Sequence, residues 1–301
     1  MRQSSFHFQD LLVAQVHRLL IVTHNLGGGV ERHVSDLQAL LSGVIQTEIL
    51  RSFDAATVSI EVVGTDPAFW HFSDWHHVVE ALRQRDYDWI SFQHVHGFPS
   101  QILALASALE LPYDLTVHDF FPFCPIYSLS TLSGDYCGEP DLSGCAKCTR
   151  ERPNAWHWPI ERWRSEMGRL LLGATRITAP SRFVADRIQG HFPEVQAVVW
   201  PHPPREEWTQ PLRPMRKILL IGKLTRLKGL DRLLACAKRS REQELGLAFC
   251  VLGFTEDAIP ASQNLPIQVR GEYADRDLPR LLALERAVLT VPLPAGKGSV
   301  Q

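Results

Sequence analysis

The sequence lacks several features that would place it in common protein classes. Its apolar runs, such as residues 19–22, are far shorter than the roughly 20 residues that a membrane-spanning helix needs. No sustained apolar segment near the amino terminus resembles a secretory signal. Acidic and basic residues nearly balance, 33 against 31, so no general attraction to nucleic acid is expected. We expect a cytoplasmic protein without a nucleic-acid partner, with the inner face of the membrane as a second possible location.

The chain also has no spaced G-x-G-x-x-G fingerprint, which counts against a nicotinamide-dependent enzyme. Its six cysteines are too few for a disulfide scaffold in a chain of 301 residues. Four of them lie in one glycine- and proline-rich insertion, residues 122–150, with the spacing C-x12-C-x7-C-x2-C. Four thiols can complete a tetrahedral metal site, so a structural zinc is one prediction, with an iron–sulfur cluster, unliganded thiols or disulfides as alternatives. The four cysteines are Cys124, Cys137, Cys145 and Cys148.

Short apolar segments alternate with helical patterns along the chain, which predicts α/β domains with mainly parallel sheets. Five prolines in residues 201–214 indicate a linker, which we place at 204–215. Residues 1–203 are thus predicted to form one Rossmann-like domain. Residues 216–301 are predicted to form part of a second domain. Predicted strands are 17–23, 57–63, 88–92, 113–117, 176–179, 195–200, 217–221, 247–252, 267–269 and 288–291.

Three consecutive glycines, Gly27, Gly28 and Gly29, separate the first predicted strand from a helix expected over residues 30–41. Glycine lets the backbone turn sharply and approach a ligand, and a helix amino terminus attracts phosphate. These residues are therefore candidates for binding a diphosphate. The alternative is a tight turn without a ligand.

A second basic element opens the predicted second domain. Lys223 follows the strand at 217–221, and Lys228 precedes the helix expected at 229–239. Both would lie at the carboxyl edge of a parallel sheet, where α/β domains bind ligands. Their charges could neutralise a leaving diphosphate without a catalytic metal. The alternative is two solvated surface lysines.

Four segments together resemble the retaining glycosyltransferases of family 4, which have the GT-B fold of two facing Rossmann-like domains. In chain order they are residues 27–33 (GGGVERH), 116–119 (TVHD), 179–181 (APS) and 222–229 (GKLTRLKG). The resemblance implies that His118 contacts the transferred sugar near the reacting carbon. It also implies that Gly28 and Gly29 approach the donor phosphates, which Lys223 and Lys228 bind. The implied donor is a UDP- or GDP-sugar, and the implied acceptor is a glycan or lipid-linked saccharide.

This sequence departs from the family pattern in two ways. Lys223 stands where the family usually has arginine, and lysine lacks the two-donor fork of a guanidinium. The family's E-x7-E motif, whose glutamates bind the donor sugar and ribose, has no counterpart here. We therefore expect a truncated second domain and impaired transfer. The alternatives are a non-catalytic sugar- or partner-binding remnant and, ranked last, a nucleotide-sugar epimerase.

Two further segments carry weaker predictions. His94 and His96 follow the strand at 88–92 and could help seat the acceptor. Residues 156–172 have the periodicity of an amphipathic helix that bears arginines. Such a helix usually packs on its own domain, and peripheral membrane contact is the alternative.

Overall fold

The computed structural model describes residues 17–202, 217–259, 264–285 and 289–291. The chain divides into two compact units, one of residues 1–127 and 140–203 and one of residues 128–139 and 204–301. The predicted linker at 204–215 lies outside the described residues. Within the described ranges, no helix has both the length and the apolar character needed to cross a bilayer.

The first unit contains one eight-stranded sheet with the strand order β4-β3-β2-β1-β5-β6-β7-β8. Strands β1, β2, β5, β6, β7 and β8 are mutually parallel. At one edge β3 pairs antiparallel with β2, and β4 pairs antiparallel with β3. The mainly parallel arrangement predicted from the sequence is confirmed. The strands are β1 Arg18–His24, β2 Gln46–Ser52, β3 Thr57–Val62, β4 Ala68–His71, β5 Trp89–Phe92, β6 Tyr113–Thr116, β7 Arg176–Ala179 and β8 Val198–Val199.

The helices of this unit follow the expected strand–helix alternation. They are α1 Gly28–Leu41, α2 Trp75–Arg83, α3 Leu105–Leu109, α4 Leu142–Glu151, α5 Ile160–Leu172 and α6 Arg182–His191. A 3₁₀ turn at Ser100–Ala104 directly precedes the short helix α3. Helix α1 packs Val34 and Leu41 against Leu19 and Ile21 of β1 and Ile49 of β2.

Strand β2 buries charged side chains by pairing them. Glu48, which is 2% exposed, accepts hydrogen bonds from Arg18 at 2.9 Å, Arg85 at 3.0 Å and the Tyr87 hydroxyl at 2.6 Å. Burial, followed by the bond to Glu48, raises the pKa of Tyr87. A buried carboxylate is tolerated only when its lone pairs are satisfied, and these three donors satisfy them.

The second unit contains a four-stranded, wholly parallel sheet with the order β11-β10-β9-β12. Its strands are β9 Lys217–Ile221, β10 Ala248–Leu252, β11 Ile267–Val269 and β12 Leu289–Val291. Its helices are α7 Leu230–Glu242 and α8 Leu278–Glu285. Leu230, Leu233 and Ala237 of α7 pack on Leu220 and Val251 of the sheet.

Candidate functional site

The carboxyl ends of the parallel strands of the first unit lie along one edge of its sheet. Strands β1 and β5 are neighbours there, and the chain continues from β1 to β2 on one side and from β5 to β6 on the other. Open α/β sheets bind ligands at such a switch point. The loops that follow β1, β5, β6 and β8 place a group of histidines at this edge.

The glycine turn after β1 has a backbone that only glycine adopts readily. Gly27 has φ 66° and ψ −157°, and Gly28 has φ 77°. Helix α1 begins at Gly28, two residues earlier than predicted, and among the described residues no side chain caps its first turn. An added Cβ at Gly27, Gly28 or Gly29 would meet no described atom within 4 Å. The first N–H groups of α1 therefore have no side-chain cap, an arrangement that suits an anion.

An ion-pair network anchors this turn to the sheet. Arg51 of β2, 6% exposed, donates to the carbonyl oxygen of His24 at 3.1 Å and to the carboxylates of Glu31 and Glu61. Glu31 lies in the first turn of α1, where its charge would oppose a bound anion. Pairing with Arg51 offsets that charge and fixes the start of the helix against β2.

His118 follows β6 and lies between two other histidines. Its Nε2 atom is 2.9 Å from Oε1 of Gln93. Its ring centroid is 4.9 Å from that of His33 on α1 and 6.4 Å from that of His202, which follows β8. Burial, followed by the charge of His33, lowers the pKa of His118 well below the ordinary value. At neutral pH His118 is therefore an uncharged hydrogen-bonding group.

A second histidine group surrounds Asp119, which is 5% exposed. Nε2 of His94 is 3.3 Å from the Asp119 carboxylate, and the ring centroids of His24 and His94 are 4.7 Å apart. The backbone N–H groups of Leu26 and His96 donate to Nδ1 of His24 and His94 respectively. In neutral His24 that bond leaves the ring proton on Nε2.

Burial shifts the acid–base behaviour of this second group. It lowers the pKa of His24 to about 4, with smaller contributions from the charges of His94 and His96. It also lowers the pKa of His96. A cavity of about 30 Å³, room for one water molecule, is lined by residues that include Gln93, His94 and His118. His24, His96 and His118 therefore offer neutral donors and acceptors rather than cations at neutral pH.

Five residues of this edge were not predicted from the sequence as site residues: His24, His33, Gln93, Asp119 and His202. His24 ends β1, and Asp119 follows His118 directly, so position at a strand end was an available signal for both. His33 lies on α1, at a distance in sequence from the other site residues. No local pattern indicates that it and His202 meet His118.

The basic connection of the second unit lies between β9 and α7. Lys223 and Lys228 are both exposed, and among the described residues neither has an ion-pair partner within 4 Å. The backbone N–H of Lys228 donates to the carbonyl oxygen of Thr225 at 2.9 Å, and Gly229, with φ 92°, begins α7. The lysines thus occupy the strand–helix connection that the sequence indicates, and their ligand stays a prediction.

The cysteine insertion forms helix α4 in its second half. Arg164 donates to Sγ of Cys145 at 3.4 Å, and Arg152 donates to Sγ of Cys148 at 3.1 Å. Cys137 falls in the segment 128–139, which clusters with the second unit, whereas Cys124 belongs to the first. In the described part of the chain, no three His, Cys, Asp or Glu side chains group to hold one metal ion. The four-cysteine zinc site stays a prediction.

The amphipathic segment forms α5, which begins at Ile160 because Pro159 precedes it. Its apolar side chains are buried in the first unit: Ile160, Trp163, Met167, Leu170 and Leu171. This is packing on its own domain, the first of the two interpretations made from the sequence. The peripheral membrane contact of the alternative would have to use other residues.

Comparison with known proteins adds a family match. The sequence model described as Glycosyltransferase Family 4 matches residues 12–204, the part of the chain that carries the histidine edge and the glycine turn. No curated protein sequence matches the chain significantly.

Several solved structures resemble between 72% and 93% of the chain. HepE from Anabaena, crystallised with UDP and glucose, matches with a TM-score of 0.50 and 13% identity over 92% of this chain and 75% of that one. MnaA from S. aureus, with UDP, matches with a TM-score of 0.48 and 11% identity over 93% of this chain and 74% of that one. The pneumococcal O-GlcNAc transferase GtfA, in complex with UDP and GlcNAc, matches with a TM-score of 0.44 and 10% sequence identity over 72% of this chain. The chain spans 40% of the length of GtfA. The likeness to HepE confirms the predicted GT-B type of α/β fold.

Proposed function

The chain belongs to glycosyltransferase family 4, and from that membership we propose that it transfers a sugar from a nucleotide-sugar donor to a glycan or lipid-linked acceptor with retention. UDP is the first nucleotide to test, because HepE was crystallised with UDP and glucose. The activity, substrates and partners of the whole protein are part of this proposal.

One observation carries the proposal: the ring contact of 4.9 Å between His33 and His118. His33 lies five residues after Gly28, which is about 7.5 Å along a helix. That contact places the uncapped start of α1 and the neutral imidazole of His118 on one short stretch of the sheet edge. A diphosphate at the helix start would leave its sugar within reach of His118.

The chemistry required of this edge follows from the bond that breaks. Cleavage at the anomeric carbon leaves a cationic sugar and a diphosphate anion, and the anion needs fixed positive polarity. The N–H groups at the start of α1 supply such polarity. Lys223 and Lys228 of the second unit are proposed to bind donor phosphate, as the family resemblance implies.

The other residues of the edge are proposed to orient substrates. His118, neutral at pH 7, is proposed to hold a hydroxyl group of the transferred sugar by a hydrogen bond. His94 and His96 are proposed to help seat the acceptor. Holding both substrates in a reactive geometry is itself a large part of such catalysis.

The test is release of UDP from UDP-glucose and UDP-GlcNAc by the purified chain with candidate acceptors. We expect the variant His118→Ala to lose most of the activity. The matched control is His77→Ala, since His77 is an exposed histidine on α2. Equal turnover by both variants would remove His118 from the proposal. Saturable UDP binding without turnover would instead support the non-catalytic alternative, and weak turnover would agree with the predicted impairment.

A further inference from the structure

A chain of buried hydrogen bonds runs from His118 into the sheet of the first unit. Oε1 of Gln93 is 2.9 Å from Nε2 of His118, and Nε2 of Gln93 donates to Oγ of Ser91 at 2.9 Å. Ser91 in turn donates to the carboxylate of Asp114 at 2.6 Å. Gln93, Ser91 and Asp114 are 2%, 4% and 7% exposed, so these bonds are shielded from bulk solvent.

The direction of every bond in this chain is set at Asp114. Its carboxylate accepts from the indole N–H of Trp89 at 3.2 Å and lies 3.6 Å from the guanidinium of Arg176, two groups that can only donate. Burial raises the pKa of Asp114, and the bonds from Ser91 and the charge of Arg176 oppose that shift. With these donors around it, Asp114 accepts the one hydroxyl proton of Ser91.

Gln93 then has one orientation. Because the hydroxyl hydrogen of Ser91 is used in the hydrogen bond to Asp114, the Ser91 oxygen can only accept from Gln93, which turns the amide NH₂ group toward Ser91. The amide oxygen of Gln93 consequently faces His118. An amide oxygen only accepts, so His118 carries its ring proton on Nε2 and leaves the lone pair of Nδ1 available.

We propose that Gln93, Ser91 and Asp114 are positioning residues that hold His118 as the Nε2–H tautomer, so that Nδ1 accepts a hydrogen bond from a substrate hydroxyl. Among the described residues, Nδ1 of His118 makes no hydrogen bond. This inference rests on the proposed function only for the identity of the hydroxyl group. The tautomer itself is a property of the protein without substrate.

The other groups that face His118 do not supply this control. His33 and His202 contact it through their ring faces and edges, without a hydrogen bond to either nitrogen. The charges of His33, His94 and His202 disfavour the imidazolium form, and that of Asp119 favours it. These groups affect whether the ring is charged, whereas Gln93 decides which nitrogen carries the proton.

The experiment reads the ring nitrogens directly, by NMR of the protein labelled with ¹⁵N-histidine at neutral pH. His118→Gln assigns the signals. We expect His118 of the wild-type chain to show one protonated nitrogen, Nε2, and one unprotonated nitrogen, Nδ1. A protonated Nδ1, or an imidazolium, in the wild-type chain would overturn the inference without any variant.

Two variants test the chain of bonds. Gln93→Met removes the acceptor at similar volume, and Ser91→Ala releases the amide to turn over. Both should lose the single tautomer and give a mixture of Nδ1–H and Nε2–H forms. The matched control is Ser59→Ala, which removes a buried hydroxyl bonded to Glu61 on β3 and should leave His118 unchanged. An unchanged tautomer in a folded Gln93→Met protein would contradict the positioning role.

The NMR result and the activity result can fail separately. The expected tautomer in a protein with no transferase activity would leave this inference standing and remove the proposed function. An active enzyme whose His118 has the opposite tautomer would leave the proposed function standing and overturn this inference. In an active protein, Gln93→Met should lower kcat by about tenfold, the equivalent of one hydrogen bond of about 1.4 kcal/mol.

Discussion

Substituting Gly28 by alanine perturbs the glycine turn with little change elsewhere. Gly28 has φ 77°, and an added Cβ would meet no atom within 4 Å, so no steric clash arises. The whole cost is backbone strain, about 1–2 kcal/mol for a side-chain-bearing residue in the left-handed region. The turn either bears this strain or relaxes by moving the first N–H groups of α1.

The same helix offers a matched control at its other end. Gly43 has φ 80°, is also exposed, and likewise has no atom within 4 Å of an added Cβ. Gly43→Ala should therefore lower the free energy of unfolding by the same amount, about 1–2 kcal/mol. Only Gly28→Ala, however, moves the N–H groups proposed to hold the diphosphate.

Loss of one charge-assisted hydrogen bond from such a group costs about 1.5–3 kcal/mol. Gly28→Ala should thus weaken UDP binding by about 10- to 150-fold, while Gly43→Ala leaves it within about twofold. Isothermal titration of UDP and urea unfolding measure the two quantities on the same preparations. Equal UDP affinity in both variants, at equal loss of stability, would refute the role of the turn.

Three further predictions concern other parts of the molecule. Lys223→Ala should weaken UDP binding about tenfold through loss of a phosphate contact. The control Lys238→Ala, on the exposed face of α7, should leave UDP binding unchanged. Equal UDP affinities of the two variants by titration would count against Lys223. Glu48→Gln on β2 removes the charge that pairs with Arg18 and Arg85 and should lower the free energy of unfolding by about 3 kcal/mol in urea. A loss under 1 kcal/mol would mean that the pairing is not needed. Because the pKa of His24 falls from 6.5 to about 4 on folding, the unfolded chain binds more protons between those values, and stability falls as pH falls through that range. The loss in free energy of unfolding should reach about 3 kcal/mol between pH 7 and pH 4. Urea unfolding across that range should show a smaller loss in His24→Gln. An equal dependence on pH in both proteins would show that His24 is not the group responsible.

Much of the fold was predictable because its parallel strands are continuous apolar runs. Strands β1, β7 and β9 fall within a residue or two of the predicted bounds. Strand β2 was missed because Glu48 and Arg51 interrupt its apolar pattern. Both side chains are buried and form ion pairs with residues from other parts of the chain. No local pattern in the sequence reveals such partners.

Helix α4 shows a different limit of the sequence analysis. Its residues are weakly apolar and were interpreted as part of a metal-binding loop. A capping signal was present, since Asp141 accepts a hydrogen bond from the backbone N–H of Gly144 at 2.9 Å. Four cysteines in a short segment outweighed that signal in the sequence analysis.

The site was predictable at its strand ends and not beyond them. The glycine turn and His118 follow β1 and β6, where the sequence placed them. Gln93 follows a predicted strand too, but a single glutamine has no distinguishing pattern. Its proposed role depends on contacts with Ser91, two residues earlier in the chain, and with His118, which follows the neighbouring strand β6. Those contacts depend on strand order rather than on local sequence.

The most direct test of the account is where UDP binds on the first unit. The chain labelled with ¹⁵N is titrated with UDP, and backbone and histidine ring signals are followed by NMR. We predict saturable shifts at the N–H groups of Gly28 and Gly29 and at the ring of His118, with no shift at Gly43 or His77. Two results would contradict the account. One is saturable binding that leaves the signals of Gly28 and His118 unshifted. The other is no binding at millimolar UDP, which corresponds to a binding free energy of about 4 kcal/mol or weaker.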